Sequence, residues 1–134
     1  MRIDQQLFGP WRRIAIEEIL VVDDEWDLAE VVIYLLQGEG YAALYAPNGE
    51  AALQLLSKRP VDLVLTDYMM PVMNGCELLR NMQSREDLAG IPVVVLSALP
   101  EAVVRSHCDP VKEFLRKPFT ADQLVQLVRD AFPR

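Results

Sequence analysis

Short apolar runs alternate with longer segments of helical periodicity along most of the chain. The runs are rich in Val, Leu and Ile and stop at polar or turn-forming residues, which is typical of buried strands. The segments between them carry apolar residues three or four positions apart, which is typical of amphipathic helices. The pattern predicts strands at residues 19–22, 41–46, 61–66, 91–96 and 112–115. It predicts helices at residues 25–37, 50–58, 75–84, 100–107 and 121–132, with Thr120 as the N-cap of the last one.

The alternation of strands and helices predicts a doubly wound α/β domain, in which a five-stranded parallel sheet has helices on both faces. Because parallel strands point the same way, their carboxyl ends share one edge of the sheet, and ligands bind at that edge in such folds. The polar residues that follow the strands there are Asp23, Asp24, Asp67, Ser97 and Lys117. We therefore expect the chemistry of the protein to be concentrated at this edge.

We expect two parts in the chain, an N-terminal extension of unknown structure at residues 1–16 and one domain at residues 17–134. The extension has no clear period, although its apolar residues are too many for a solvated tail. A chain of 134 residues is too short for two ordinary domains. The role of the extension is left open.

Composition and charge narrow the range of partners and compartments. Apolar residues make up 51% of the chain and charged residues 25%, as in soluble globular proteins. The formal net charge of -7 argues against direct binding of nucleic acid or of an anionic membrane. No apolar run approaches the roughly 18 to 20 residues of a membrane span, and the N-terminus lacks the apolar core of a signal peptide. We expect a cytoplasmic protein in which Cys76 and Cys108 are separate, reduced thiols.

Each polar residue at the sheet edge has an ordinary structural role when it is considered alone. Asp24 and Ser97 could each cap a helix, Asp67 could belong to the turn before Pro71, and a lysine such as Lys117 is usually a solvated charge. Together they predict a site, because carboxylates brought together repel one another. Two unit charges about 4 Å apart interact by roughly 4 kcal/mol at an effective dielectric near 20. A divalent cation relieves repulsion between carboxylates, and an all-oxygen ligand set suits Mg²⁺ or Mn²⁺. The lysine and the serine hydroxyl complete a set that can hold phosphoryl oxygens beside a carboxylate nucleophile.

Four motifs in this order resemble those of the receiver domains of two-component response regulators, the CheY-like family. They are the pair Asp23-Asp24, the stretch DYMMPVMNG from Asp67 to Gly75, the pair Ser97-Ala98, and Lys117-Pro118-Phe119. The resemblance covers about residues 18–132. It implies a flavodoxin-like strand order of 2-1-3-4-5.

The resemblance also implies a function. Asp67 would accept a phosphoryl group from a sensor histidine kinase or a histidine phosphotransfer protein. Mg²⁺ would be bound by Asp24 and Asp67 with the backbone carbonyl of Met69, and by Asp23 chiefly through water. The protein would be a phosphorylated signalling protein that catalyses only its own phosphoryl transfer and slow autodephosphorylation, and would not be an enzyme in the usual sense.

The same resemblance also implies a conformational switch. Lys117 would pair with the phosphoryl oxygens, Ser97 would move to hydrogen-bond one of them, and the ring of Phe114 would follow that movement. The Lys117-Pro118 peptide bond is expected to be cis. The change would reach the surface of the fourth helix, the fifth strand and the fifth helix, where a downstream protein target would bind; homodimer formation is left open.

Two regions depart from the family pattern. Residues 99–110 are about two residues short, so we expect a short or distorted fourth helix, with His107 a surface residue. Met69 and Leu99 are apolar where a polar side chain could orient an attacking water. We therefore expect a comparatively long-lived phosphoryl state.

The sequence leaves several alternatives to weigh. We expect a stand-alone receiver, and the alternative is a receiver module cut from a larger response regulator or hybrid histidine kinase. A haloacid-dehalogenase-like phosphatase also uses a strand-end aspartate, but Met69 stands where its general acid should be. A flavodoxin-like flavin carrier would need Ser, Thr and Gly in the first loop, which is Asp23-Asp24-Glu25 here. A degenerate receiver used only as a scaffold is disfavoured because all the acceptor residues are present.

Overall fold

The computed structural model describes residues 16–108 and 111–132, and within them every predicted strand and helix is present. Their ends differ from the prediction by one or two residues. The strands are β1 Glu18–Val22, β2 Ala42–Ala46, β3 Leu63–Asp67, β4 Val93–Ser97 and β5 Glu113–Arg116. The helices are α1 Trp26–Gly38, α2 Gly49–Lys58, α3 Gly75–Gln83, α4 Glu101–His107 and α5 Ala121–Ala131. Apart from the exposed Ile16, the predicted extension lies outside the described residues.

The five strands form one parallel sheet in the order β2-β1-β3-β4-β5. This confirms the predicted doubly wound sheet and the strand order implied by the family resemblance. Strands β3 and β4 are buried along their whole length because helices cover both faces. Asp67 and Ser97, which were expected just beyond their strands, are the last residues of β3 and β4.

The apolar side chains of the sheet divide into two cores, one on each face. Leu20 and Val22 of β1 point into the core under α2, α3 and α4, whereas Ile19 and Val21 point into the core under α1 and α5. The alternation follows from the two-residue period of a strand. Each face therefore fixes one set of helices, and their N-termini converge on the edge where the strands end.

Two of the helices begin with a full capping box. Asn74 and Glu77 form a capping box at the start of α3, and Thr120 and Gln123 form one at the start of α5, which confirms the predicted Thr120 cap. Helix α4 has seven residues, and its N-cap, Pro100, makes no side-chain capping bond. The expected short fourth helix is confirmed.

Among the helices of the described residues, none combines the length and the apolar character that crossing a membrane requires.

The prediction of two separate, reduced cysteines is wrong. Cys76 and Cys108 are joined by a disulfide, with their Cα atoms 4.8 Å apart and a sequence separation of 32. The sequence contains no sign of this contact, because the two cysteines are far apart along the chain. They meet because α3 and α4 pack on the same face of the sheet.

Candidate functional site

The parallel register brings the polar strand ends together. Val22 of β1 pairs with Thr66 of β3, and Asp67 pairs with Leu96 of β4, so the chain leaves these three strands at nearly the same height. The backbone N–H of Lys117 donates to the carbonyl of Ser97 at 2.9 Å, which attaches the end of β5 to the same edge. The edge predicted from the sequence is therefore formed by backbone pairing.

Lys117 is the cation at the centre of this edge. Its Nζ lies 3.3 Å from Oδ1 of Asp67 and 4.0 Å from Oδ2 of Asp23, and its side chain is largely covered. The Lys117-Pro118 peptide bond is cis, as expected. Lys117 therefore places a positive charge beside the two buried carboxylates. The same ammonium group can also contact the oxygens of a ligand bound between them.

Four carboxylates converge beside the lysine. Asp23, Asp24, Glu25 and Asp67 each offer an oxygen, and these oxygens lie within 4.8 Å of one another. Asp23 and Asp67 are buried, whereas Asp24 and Glu25 are exposed. Glu25 was not among the predicted ligands. Its position directly after the acidic pair was the available signal, since the first residues after β1 all lie at the mouth of the site.

Burial makes the two inner carboxylates difficult to ionise. Desolvation raises the pKa of Asp23 from 3.8 to about 6, although the hydrogen bond from the backbone N–H of Glu25 opposes the rise. Desolvation also raises the pKa of Asp67, against the lowering effect of Lys117. The positive charge of the lysine therefore offsets only part of the cost of burying the acids. A divalent cation would favour both ionised forms.

The carboxylate of Asp67 is oriented by its neighbours. Its Oδ1 accepts a hydrogen bond from the backbone N–H of Tyr68 at 2.9 Å and also faces Lys117. Gly75 packs so closely beneath it that an added Cβ would lie 2.6 Å from the carbonyl oxygen of Asp67. The N–H of Gly75 donates to the carbonyl of Tyr68 at 2.9 Å. The start of α3 is therefore built onto the strand end that carries Asp67.

The loop between β3 and α3, which directly follows Asp67, leaves two apolar side chains exposed. Met69 is 65% exposed and Val72 is 75% exposed. Val72 has a φ of 71°, which is unusual for a β-branched residue. Met69, the predicted carbonyl ligand, thus lies in the right loop, while the metal contact of its carbonyl stays a prediction.

Ser97 and Phe114, the predicted switch residues, lie on the neighbouring strands β4 and β5. Ser97 is buried, and its Oγ accepts a hydrogen bond from the N–H of Leu99 at 3.0 Å. Phe114 pairs with Val95 in the sheet and is half-buried against the core under α4. Ser97 is the last residue of β4, and Phe114 lies within β5. Their movement stays a prediction.

A tyrosine and a tryptophan support the acidic loop, and sequence reasoning missed both. The hydroxyl of Tyr45 donates to the carbonyl of Asp23 at 2.8 Å, and the ring of Trp26 packs edge-on against that of Tyr45 at 4.8 Å. Burial and the charges of Asp23 and Asp24 raise the pKa of Tyr45. Tyr45 stands near the carboxyl end of β2, beside β1, so the predicted topology alone could have drawn attention to it.

Comparisons with known proteins agree with this geometry. A family model described as the response regulator receiver domain matches residues 19–129. The sensor histidine kinase TmoS of Ectopseudomonas mendocina is 37% identical over 108 residues, which are 79% of this chain and 11% of that protein. The DNA-binding response regulator MtrA of Mycolicibacterium paratuberculosis is 36% identical over 118 residues, which are 84% of this chain and 50% of that protein. The chain thus spans half or less of the length of these curated relatives.

A solved structure shows the same fold with a metal ion. It is the receiver domain of the sensor histidine kinase PA1611 from Pseudomonas aeruginosa, described with a magnesium ion coordinated in its active site cleft. The two chains are 25% identical, with a TM-score of 0.79 over 87% of this chain and 97% of that one.

Proposed function

Because the chain belongs to the response regulator receiver domain family, we propose that it takes a phosphoryl group onto Asp67 from a phosphohistidine. The donor would be a sensor histidine kinase or a histidine phosphotransfer protein. Receiver domains are signalling modules rather than classical enzymes. The observation that carries the proposal is the buried Asp67 carboxylate, with the ammonium group of Lys117 3.3 Å away and a cluster of further acids around it.

The contacts of Asp67 favour one of its two carboxylate oxygens as the attacking atom. The N–H of Tyr68 and the ammonium group of Lys117 both face Oδ1, so we assign the nucleophilic role to Oδ2. In the transfer an Oδ2–P bond forms and the N–P bond of the phosphohistidine breaks, and its electron pair returns to the imidazole. Lys117 stabilises the charge on the phosphoryl oxygens, since it is already held at the site. The product is a mixed anhydride, whose phosphoryl group carries roughly -1.5 to -2 charge in place of the single negative charge of the carboxylate.

The donor set fits a divalent cation. Asp23, Asp24 and Asp67, together with the backbone carbonyl of Met69, would hold Mg²⁺ or Mn²⁺, and the exposed carboxylate of Glu25 is a further candidate. The bound cation would neutralise charge on the carboxylates and on the transferred phosphoryl oxygens. The magnesium ion in the PA1611 receiver domain supports this assignment.

Ser97 and Phe114 would carry the change to the surface of α4, β5 and α5. Ser97 has a buried hydroxyl whose oxygen accepts a hydrogen bond from the N–H of Leu99, and its hydrogen makes no recorded bond to any other described residue. Turning that hydroxyl toward a phosphoryl oxygen would give up the bond to Leu99 and loosen the start of α4. Phe114, half-buried under α4, would then move with it.

The larger setting of the domain is proposed in the same terms. We propose residues 17–134 as the receiver unit, residues 1–16 as an extension, and the cytoplasm as its location. A downstream protein target would bind the α4, β5 and α5 surface, and the net charge of -7 disfavours direct contact with nucleic acid. Its relatives include a response regulator and a histidine kinase, both longer than this chain, so a receiver of this kind can be part of either class of protein.

Intact-mass measurement after incubation with acetyl phosphate and Mg²⁺ tests the proposal. One phosphoryl adduct is expected in the natural protein and none in Asp67→Asn. The matched control is Asp130→Asn, which removes the same charge from an exposed position on α5 and should keep the adduct. Absence of an adduct with acetyl phosphate and with phosphoramidate would contradict the proposal, as would an adduct that persists in Asp67→Asn.

A further inference from the structure

The disulfide between Cys76 and Cys108 is a covalent link outside the acidic site. Cys76 is the second residue of α3, and Cys108 directly follows α4. Both are buried in the core on the α2, α3 and α4 face, in a cluster that also contains Val104 and Val111. The link therefore joins two helices that the mechanism above treats as separate.

Each end of the link is close in sequence to a residue of the site. Cys76 follows Gly75, which packs against the carbonyl of Asp67. At the other end, α4 begins four residues after Ser97 and leads to Cys108. The disulfide thus connects the segment that follows the phosphoacceptor to the segment that follows the switch serine.

In the part of the chain that the structure describes, few contacts besides the disulfide hold the far end of α4. Val104 is its buried residue, and the guanidinium of Arg80 donates to the carbonyl of His107 at 3.2 Å in an exposed position. Arg105 donates to the carbonyl of Val111 at 3.0 Å. A helix this short is not stable by itself, so it opens locally at lower cost than the strands beneath it. Such opening would bring both sulfur atoms within reach of a thiolate.

We propose that Cys76 and Cys108 form a reversible redox site that controls how far α4 can move. Where disulfides occur in reducing compartments, they are usually transient or redox-sensing. In the oxidised form the end of α4 is fixed to α3, and in the reduced form it is released. The proposed link to signalling rests on the proposed function, because α4 is part of the surface that phosphorylation would change.

A dithiol reductant of the thioredoxin class would supply the electrons. Its thiolate attacks one sulfur of the bridge, forms a mixed disulfide and releases the other sulfur as a thiolate. The second thiol of the reductant then displaces the remaining cysteine. Two electrons and two protons end on Cys76 and Cys108, and the reductant leaves as its own disulfide. An oxidised dithiol of the same class reverses these steps.

Hydrogen exchange of the full chain tests the redox site directly. The amides of residues 101–107 are compared in the air-oxidised protein, in the protein treated with dithiothreitol, and in the double variant Cys76→Ala and Cys108→Ala. Exchange should be at least about tenfold faster in the reduced protein and in the double variant. Adding dithiothreitol to the double variant should change nothing, which excludes a nonspecific effect of the reductant.

Three results would overturn the inference. The first is two free thiols in the air-oxidised protein. The second is a bridge that resists reduction by thioredoxin in native buffer, and the third is equal hydrogen exchange at residues 101–107 in both redox states. The reduced natural protein keeps the test decisive where the double variant fails to fold.

A second arm distinguishes this inference from the proposed function. Acetyl phosphate and Mg²⁺ are added to both redox forms, and the adduct and the exchange of α4 are measured together. Phosphorylation should change the exchange of residues 101–107 at least about threefold more in the reduced form than in the oxidised form. If neither form takes an adduct, the proposed function fails, while the redox dependence of exchange still decides the status of the disulfide. If both forms take an adduct and α4 responds equally, the control of signalling by the bridge is refuted.

Discussion

Replacing Asp23 with asparagine should stabilise the domain in the absence of metal. The pKa of this buried acid is raised from 3.8 to about 6, so the folded state holds its proton more tightly than the unfolded state does. Stability therefore falls as the pH rises from about 4 to about 6, and the whole penalty is present above that range. Asparagine carries no charge, and its side-chain oxygen can still accept the hydrogen bond from the N–H of Glu25, which Asp23 accepts at 2.9 Å.

The size of the effect follows from the shift. A shift of about two units at about 1.4 kcal/mol per unit corresponds to about 3 kcal/mol. Water at the exposed neighbours Asp24 and Glu25 screens part of it, so we expect about 2 kcal/mol at pH 8. At a typical urea dependence of about 1.5 kcal/mol per molar, the midpoint of unfolding should rise by roughly 1.3 M.

Urea titrations in EDTA between pH 4 and pH 8 provide the assay. The difference between Asp23→Asn and the natural protein should be near zero at pH 4, should grow through pH 6, and should then stay constant. Asp130→Asn, at an exposed position, is the control and should show no such growth. Mg²⁺ at pH 8 should stabilise the natural protein more than the Asp23→Asn variant. A difference that does not depend on pH, or a variant that is less stable at pH 8, would refute the reasoning.

Three further substitutions test the loop that leads into α3. Gly75→Ala should lower the free energy of unfolding by about 2 kcal/mol, because the added Cβ would lie 2.6 Å from the carbonyl oxygen of Asp67. The control is Gly90→Ala, where an added Cβ meets nothing within 4 Å, and it should change the free energy of unfolding by less than about 0.5 kcal/mol. Equal urea midpoints for the two variants would contradict this. Asn74→Ala removes the capping bond at the start of α3 and should cost about 1 kcal/mol, and an unchanged midpoint would show that the cap is dispensable. Met69→Asn should speed the decay of the phosphorylated form, followed by mass after removal of the donor, because a polar side chain there can orient water; decay that is equal or slower would count against the role given to Met69.

The fold was predictable because its signals are local and repeated. The apolar run of β1 and the apolar stripe of α1 can each be recognised from a few residues of sequence. The parallel order of the strands follows from the alternation of strands and helices. The main error lay at strand ends. Asp67 and Ser97 belong to β3 and β4 because the ladder continues past them, through the bonds from Tyr68 N–H to Leu96 carbonyl and from Lys117 N–H to Ser97 carbonyl.

The parts of the site that could not be predicted depend on tertiary distance. Asp23, Asp67 and Lys117 lie at strand ends and were found from topology, whereas the role of Tyr45 depends on its hydroxyl reaching the carbonyl of Asp23. The disulfide depends on how α3 and α4 pack, which no local pattern expresses. A spacing of 32 residues gives no indication of the 4.8 Å between the Cα atoms of Cys76 and Cys108.

The two ends of α4 experience different constraints, and this limits the motion the helix can make. With seven residues it is about 10 Å long, so a shift of about 1 Å at the end near Ser97 tilts it by about 6° when Cys108 is held. The oxidised helix can therefore pivot about Cys108 but cannot slide along β5. Breaking the bridge leaves the Arg80 to His107 and Arg105 to Val111 hydrogen bonds at that end, and both can re-form after a small displacement. The charge at Asp67 would then set the direction of the motion, and the state of the disulfide would set its extent.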